Sequence, residues 1–224
     1  MKPHFTSLKK AVDTNKPSST PSGTGWIAQT GSILLLALIW AGVFTHQTLP
    51  LVSPHPLLQS LGVLAVVQAI LILQPTTTPD AKRLGQRAHA TLHLLSFLLF
   101  LSGITVIETN KHVNHMDHLH SVHGYLGVIS GTLMLAQYVF GFCMWALPGL
   151  FGGEAQAKAL WKYHRYGGYA LLVMLLATVG SAMHTPYNVN VLGIKQWAVW
   201  LAVVLILIGV FPRIQLRKLG FHRA

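Results

Sequence analysis

The chain has 224 residues, 52% of them hydrophobic and only 9% charged, with a formal net charge of +11. Soluble domains carry roughly 25% charged residues, so an ordinary water-soluble protein is excluded. The single cysteine, Cys143, excludes an intramolecular disulfide and any cysteine-held metal cluster.

Residues 1–25 are polar, rich in Ser, Thr and Pro from Thr14 onward, and read as a disordered tail. A span needs about 20 predominantly apolar residues. Six such windows follow, at 26–44, 55–73, 88–107, 122–145, 161–183 and 196–211. The first is span-length with no clear cleavage site after it, which argues against a removed signal peptide. The expected fold is an all-α integral membrane protein with one six-helix domain over 26–212 and a basic tail over 213–224.

The first window has no ionisable residue. The connection 46–54 leads into Pro54-His55-Pro56, where Pro56 suits the first turn of a helix and His55 stands at its start. The second window closes at Gln74-Pro75, followed by Thr76, Thr77, Thr78 and Pro79. The third begins near His89, with His93 four residues on along the same face. The connection 108–121 is the most polar outside the tails and holds His112, His115, His118 and His120. His123 opens the fourth window, a Gly-rich connection spans 148–159, and His164 lies early in the fifth, followed by Gly167 and Gly168. The sixth has no histidine, so the first and sixth read as outer elements around a functional core formed by the second to fifth.

The cations are sorted by side. Lys2, Lys9, Lys10, Lys16, Lys82, Arg83, Arg87, Lys158, Lys162, Arg165, Arg213, Arg217, Lys218 and Arg223 fall on one side of a six-span arrangement; only Lys111 and Lys195 fall on the other. The positive-inside rule then puts both termini in the cytoplasm. The basic excess is a topology signal, with contact to lipid rather than nucleic acid.

Imidazole in a bilayer is costly and calls for a reason. Traversal places His55 and His123 near the non-cytoplasmic face and His89 and His164 near the cytoplasmic one. Two histidines on different helices at one depth are what a bis-imidazole haem needs, each with an acceptor for its second ring N–H. Depth leaves His93 beside His89, and His118 and His120 beside His123, as alternatives. Gly62, Gly124, Gly127, Gly131, Gly167 and Gly168 make room for a macrocycle, or let bare helices approach. Ligands near opposite ends of a 20-residue span set two irons on the order of 20 Å apart. The loop histidines read as solvated or substrate-contacting; a zinc site from His112, His115 and His118 is the alternative at i, i+3 spacing.

The run Leu119-His120-Ser121-Val122-His123-Gly124-Tyr125-Leu126-Gly127 resembles the Ser-Leu-His-Ser-Trp-Leu-Gly stretch of the eukaryotic cytochrome b561 family. Ala81-Lys82-Arg83 followed by His89 and His93 is similar to that family's basic approach to its third helix. His55-Pro56-Leu57-Leu58-Gln59-Ser60-Leu61 and Lys162-Tyr163-His164 resemble its short, "domain-containing" branch. The resemblance covers all six windows. Gly124-Tyr125 departs from Ser-Trp, and Gln86 stands where members often have lysine, with Arg87 next to it.

The resemblance implies two haem b groups, one on His55 and His123 and one on His89 and His164. It implies ascorbate as cytoplasmic electron donor, docking near Lys82, Arg83, Arg87, Lys158, Lys162 and Arg165. The acceptor would be monodehydroascorbate or a ferric chelate near His112, His118 and His120. It further implies an endomembrane location (endoplasmic reticulum, vacuole or vesicle) and is compatible with a homodimer. Two competing readings are a ferric reductase with another donor and a haemless, histidine-using metal transporter. Against the latter, transporters place polar residues near the bilayer midplane, whereas these histidines lie near the faces.

Overall fold

A computed structural model of the chain describes residues 23–221. The tail through residue 22, with Lys2, Lys9, Lys10 and Lys16, lies outside the described residues, as does Arg223. Six helices run in alternating directions: α1 (Gly25–Phe44), α2 (Pro54–Leu73), α3 (Pro79–Val113), α4 (Val122–Ala146), α5 (Glu154–Ser181) and α6 (Gln196–Val210). All six spans are long and apolar enough to cross a bilayer, and the protein is an integral membrane protein.

Two helices outrun their apolar windows. α3 has 35 residues, which at about 1.5 Å each exceeds the roughly 30 Å hydrocarbon core. The reason lies in its ends. Thr78, in extended conformation, accepts a hydrogen bond from the Ala81 N–H at 3.2 Å, Pro79 opens the helix, and Asp80 sits in its first turn. At the other end the Met116 N–H returns to Lys111 O (2.9 Å) and the His115 N–H to His112 O (3.3 Å). His115 takes φ 52° to close this Schellman turn, a position glycine usually fills. Glu108 to His112 are therefore helical, not loop. α5 likewise starts seven residues before its apolar window, at Glu154, after a turn through Gly152 (φ 86°) and Gly153 (φ 112°).

The tight apolar core lies among α1, α2, α5 and α6, built on Leu35, Val67, Leu172, Leu176, Val199 and Ile206. α1 and α6 approach closely: a Cβ on Gly31 would stand 2.8 Å from Ala202 O. In a bilayer such contact, rather than water exclusion, holds helices together. Polar ties add to it, from Thr24 Oγ1 to Gly209 O (3.1 Å), Trp40 Nε1 to Ser60 Oγ (3.2 Å) and Ser96 Oγ to Gly62 O (3.1 Å), each worth about 0.6 kcal/mol on average in membranes. α3 packs on α2 and α4 on α5, while α3 and α4 meet sparingly. The space they leave is where the histidines stand.

Both ends of the bundle are tied. At the end opposite the termini, Ser53 Oγ meets Tyr187 Oη at 2.7 Å. At the termini end, residues 211–221 fold back across the bundle instead of leaving it. Arg213 Nε donates to Gln74 Oε1 (3.2 Å), and Lys218 Nζ donates to the carbonyls of Gln74 and Thr76 (3.0 Å each). Arg165 Nη1 donates to Lys218 O (2.6 Å) and Tyr166 Oη to Leu219 O (3.0 Å).

Candidate functional site

Helices α2 to α5 bring their histidines together in two pairs. His55 of α2 and His123 of α4 face each other with ring centres 6.1 Å apart at 84°. His89 of α3 and His164 of α5 do so at 6.4 Å and 77°. Depth left His93 open as an alternative, but it is His89 that confronts His164. His93 stands edge-on against His89 at 4.3 Å.

Each ring is anchored through Nδ1 to the antiparallel neighbour of its own helix. His55 donates to Gly103 O, His89 to Ala69 O and His123 to Thr178 O, each at 3.0 Å. His164 differs, because its Nδ1 lies 3.0 Å from Nε2 of the Gln137 side chain. The anchors share one interval: 55 to 69 on α2, 89 to 103 on α3, 123 to 137 on α4 and 164 to 178 on α5 are all 14 residues. Fourteen residues are about 21 Å of helix, so each helix gives a ring at one level and a partner for a ring at the other.

The residues fit haem. An imidazole whose Nδ1–H is donated to a carbonyl has Nε2 as its metal-binding nitrogen. Metal–imidazole bonds of about 2.0–2.1 Å plus the two ring radii bring axial ring centres to about 6–6.5 Å, which both pairs match. Room beside the rings differs between the two levels. A Cβ on Gly127, one turn past His123, would meet nothing within 4 Å, whereas one on Gly141 would strike His164 Cε1 at 2.6 Å. Covalent attachment through a Cys-x-x-Cys-His motif is ruled out by the single cysteine.

At the termini end a cavity of about 680 Å³ opens beside the His89–His164 pair, and His93, Phe97, Gln137, Tyr138 and Gly141 line its interior. Its mouth is basic, with Lys82, Arg87, Arg165, Arg213 and Lys218, and none of its described lining residues is acidic. Burial, then the neighbouring charges of Arg165, Lys82 and Arg217, push Lys218 down to about 8. Three of the six cations expected at a donor site thus line the cavity, and three do not. Arg83 leans to Asp80 (4.0 Å) and Lys158 to Glu154 (3.1 Å), both exposed, while Lys162 lies over the Tyr163 ring at 5.0 Å. Arg213 and Lys218 were missed because they read as tail. Gln137 was missed too, although a lone glutamine in an apolar helix was a visible signal.

At the opposite end, the three histidines expected to meet an acceptor do not converge. His118 Nδ1 binds Glu108 Oε2 at 2.5 Å, and the same carboxylate holds Lys111 Nζ at 2.8 Å. Lys111 Nζ also donates to His118 O (3.0 Å), so the loop is clipped onto α3. His120 Nδ1 donates to Asp117 O (2.9 Å), and His112 is exposed. Among the described residues no three His, Cys, Asp or Glu side chains gather into a metal site, which removes the zinc alternative at His112, His115 and His118.

Comparison with known proteins points one way. The sequence model of the eukaryotic cytochrome b561 family matches residues 54–187, more than half of the chain. The transmembrane ascorbate-dependent reductase CYB561 of Bos taurus is 26% identical over 153 residues, 68% of this chain and 58% of that protein. The lysosomal membrane ascorbate-dependent ferrireductase CYB561A3 of Homo sapiens is 25% identical over 163 residues, 69% of this chain and 66% of its own length. The same-named protein of Danio rerio is 32% identical over 96 residues, 42% of this chain and 39% of that protein. The matched region therefore spans less than two thirds of these curated relatives.

Proposed function

Because the chain belongs to the eukaryotic cytochrome b561 family, we propose that it moves single electrons across a membrane, from ascorbate on one face to an acceptor on the other. The observation that carries this reading is the pair of facing imidazole couples, each ring with its Nδ1 engaged and so its Nε2 left for a metal. His55 and His123 would hold one haem b, and His89 and His164 a second. When bound, haem supplies reversible one-electron oxidation and reduction at each level.

The chain's own residues supply position and charge. The four helices hold the imidazoles by ties whose register is set at two levels, so the rings are oriented before the group arrives. Apolar walls keep bulk water from the interior. Lys82, Arg87 and Arg165 converge on the cavity mouth without an acidic neighbour in its lining, and their field attracts the ascorbate anion. Ascorbate loses a proton with its electron, and water at this open mouth can accept it. On the other face, the exposed His112 offers polarity to an acceptor, either monodehydroascorbate or a ferric chelate, while Lys111 is already paired with Glu108. The positive-inside rule favours a cytoplasmic side for both termini, which would turn the cavity towards cytoplasmic ascorbate. An endomembrane is the location consistent with the CYB561A3 relatives' lysosomal name.

The test is to purify the protein in detergent, count haem per chain, and titrate it with ascorbate. Two haems per chain and a paired b-type spectrum reduced by ascorbate are expected. A colourless protein or one haem per chain overturns the dihaem reading. Two haems that only a flavoprotein or quinol reduces would overturn the donor alone.

A further inference from the structure

We propose that Gln137 is the positioning residue for His164, its amide oxygen accepting the Nδ1 proton so that Nε2 stays open to iron. The inference rests on the dihaem reading and concerns one ligand of the termini-end pair.

The shared interval of 14 residues singles this position out. Gly103, Ala69 and Thr178 each offer the backbone carbonyl that receives a ring N–H. On α4 the equivalent place, 14 residues past His123, is Gln137, and there the side chain stands in for the carbonyl. Three ligands thus have a partner that no substitution can remove; one has a partner that a single codon change can.

The seat for this amide is built. A Cβ on Gly167 would come within 2.8 Å of Gln137 Oε1, and one on Gly168 within 3.2 Å of its Nε2. The two glycines of α5, which the sequence alone offers as room for a macrocycle, therefore make room for Gln137. Gly141, one turn further along α4, abuts the His164 ring at Cε1, between its two nitrogens. The imidazole is held between them.

The amide has two orientations related by a half-turn of its end, and they are not equivalent for metal binding. In one, Nε2 donates to His164 Nδ1 (3.0 Å) and to His164 O (2.5 Å). His164 Nδ1 is then an acceptor, and the proton of the neutral ring sits on Nε2, where iron would bind. In the other, Oε1 faces Nδ1 and accepts its proton, matching the other three rings. That orientation forfeits donation to the His164 carbonyl and turns Oε1 towards that carbonyl's oxygen, so the amide must also draw away from it. Ligation at His164 and the orientation of Gln137 are therefore coupled, and the partner's acceptor strength tunes the basicity of the ligand.

The experiment uses the full-length holoprotein. Gln137→Met, of similar length and apolar, removes the acceptor; Gln137→Asn keeps the amide but draws it back by one methylene; Gln137→Glu keeps an oxygen at the same reach. Haem per chain, low-temperature EPR of each centre and potentiometric titration are measured. In Met and Asn, one centre shifts its EPR signal or loses haem while the His55–His123 centre stays at wild-type values. In Glu, both haems are retained and that same centre moves to lower potential. Wild-type signals and potentials at both centres in Met and Asn overturn the inference while leaving the dihaem reading intact, and so does an equal shift of both centres. A wild-type protein without two haems overturns the reading and the inference together.

Discussion

Gly141→Ala places the smallest possible addition against a single ring. Its Cβ would lie 2.6 Å from His164 Cε1, where ordinary contact begins at 3.4 Å, so the ring edge must retreat by the difference, about 0.8 Å. Retreat is opposed by Gln137 beside the ring's Nδ1 edge. Overpacking of this kind costs about 1–3 kcal/mol, which at 1.4 kcal/mol per tenfold weakens binding at that level by roughly 5- to 150-fold. The other pair lies about 21 Å away along the helices and is untouched. The variant should therefore lose haem from the His89–His164 level first, read as haem per chain during dilution or competition with apo-myoglobin. EPR identifies which centre is lost. A Gly141→Ala protein that keeps two haems with wild-type retention and signals would refute the assignment of His164 as a ligand crowded by α4.

Three further expectations follow from separate features. A side chain at Gly127 meets no described protein atom within 4 Å, so Gly127→Leu should leave the circular dichroism and melting of haem-free protein unchanged yet lower haem at the His55–His123 level; full occupancy would show that this space is not the macrocycle's. Lys218, pushed down to about 8, carries its charge below that pH and loses it above. The ascorbate concentration for half-maximal reduction should rise between pH 7 and 9.5 in wild type and stay level in Lys218→Arg, and an identical rise in both would count against a role for this charge. The same shift, downward from 10.5, means that the unfolded chain holds this proton more tightly. The residue's contribution to stability therefore improves as pH climbs from about 8 towards 10.5. Finally, Glu108→Gln removes the carboxylate shared by Lys111 and His118. Since partly exposed pairs are worth about 0–1 kcal/mol, amide exchange should quicken over residues 114–121 without a change in global melting, and unchanged exchange there would show that the clip does not hold the loop.

The four histidines stood out because alternating traversal assigns depth, which sets 55 level with 123 and 89 level with 164 while leaving His118 and His120 open beside His123. It does not separate His89 from His93, since both lie on one face four residues apart; only the tilt and register of α3 against α5 decide which ring confronts His164. The true length of α3 was hidden for a different reason. Hydropathy detects the part in lipid, while Thr78-Pro79-Asp80 builds a helix start nine residues earlier through capping, a signal the apolar window ignores. Arg83 and Lys158 do not line the cavity, and spacing offers a reason, because Asp80 and Glu154 stand three and four residues before them as local partners. Arg213 and Lys218 were beyond reach: they are held by Gln74 Oε1 and by backbone carbonyls of Gln74 and Thr76, and a carbonyl partner leaves no trace in residue identity.

The reciprocal anchoring explains why a fold with little contact between α3 and α4 can still place four rings accurately. Within α2 and α3, His55 reaches Gly103 while His89 reaches Ala69; within α4 and α5, His123 reaches Thr178 while His164 reaches Gln137. Sliding either helix of a pair by one residue would misalign both of its ties at once. Each pair is thus a rigid unit carrying one ligand for each level, and each level is completed only when the two units face each other. Apart from the Phe97–Tyr138 stack (5.0 Å), their side chains meet little, and a group held between them would add the missing contact. Haem binding at either level should accordingly stabilise the α3–α4 side far more than the α1–α6 side, whose close packing through Gly31 and Ala202 is complete without it.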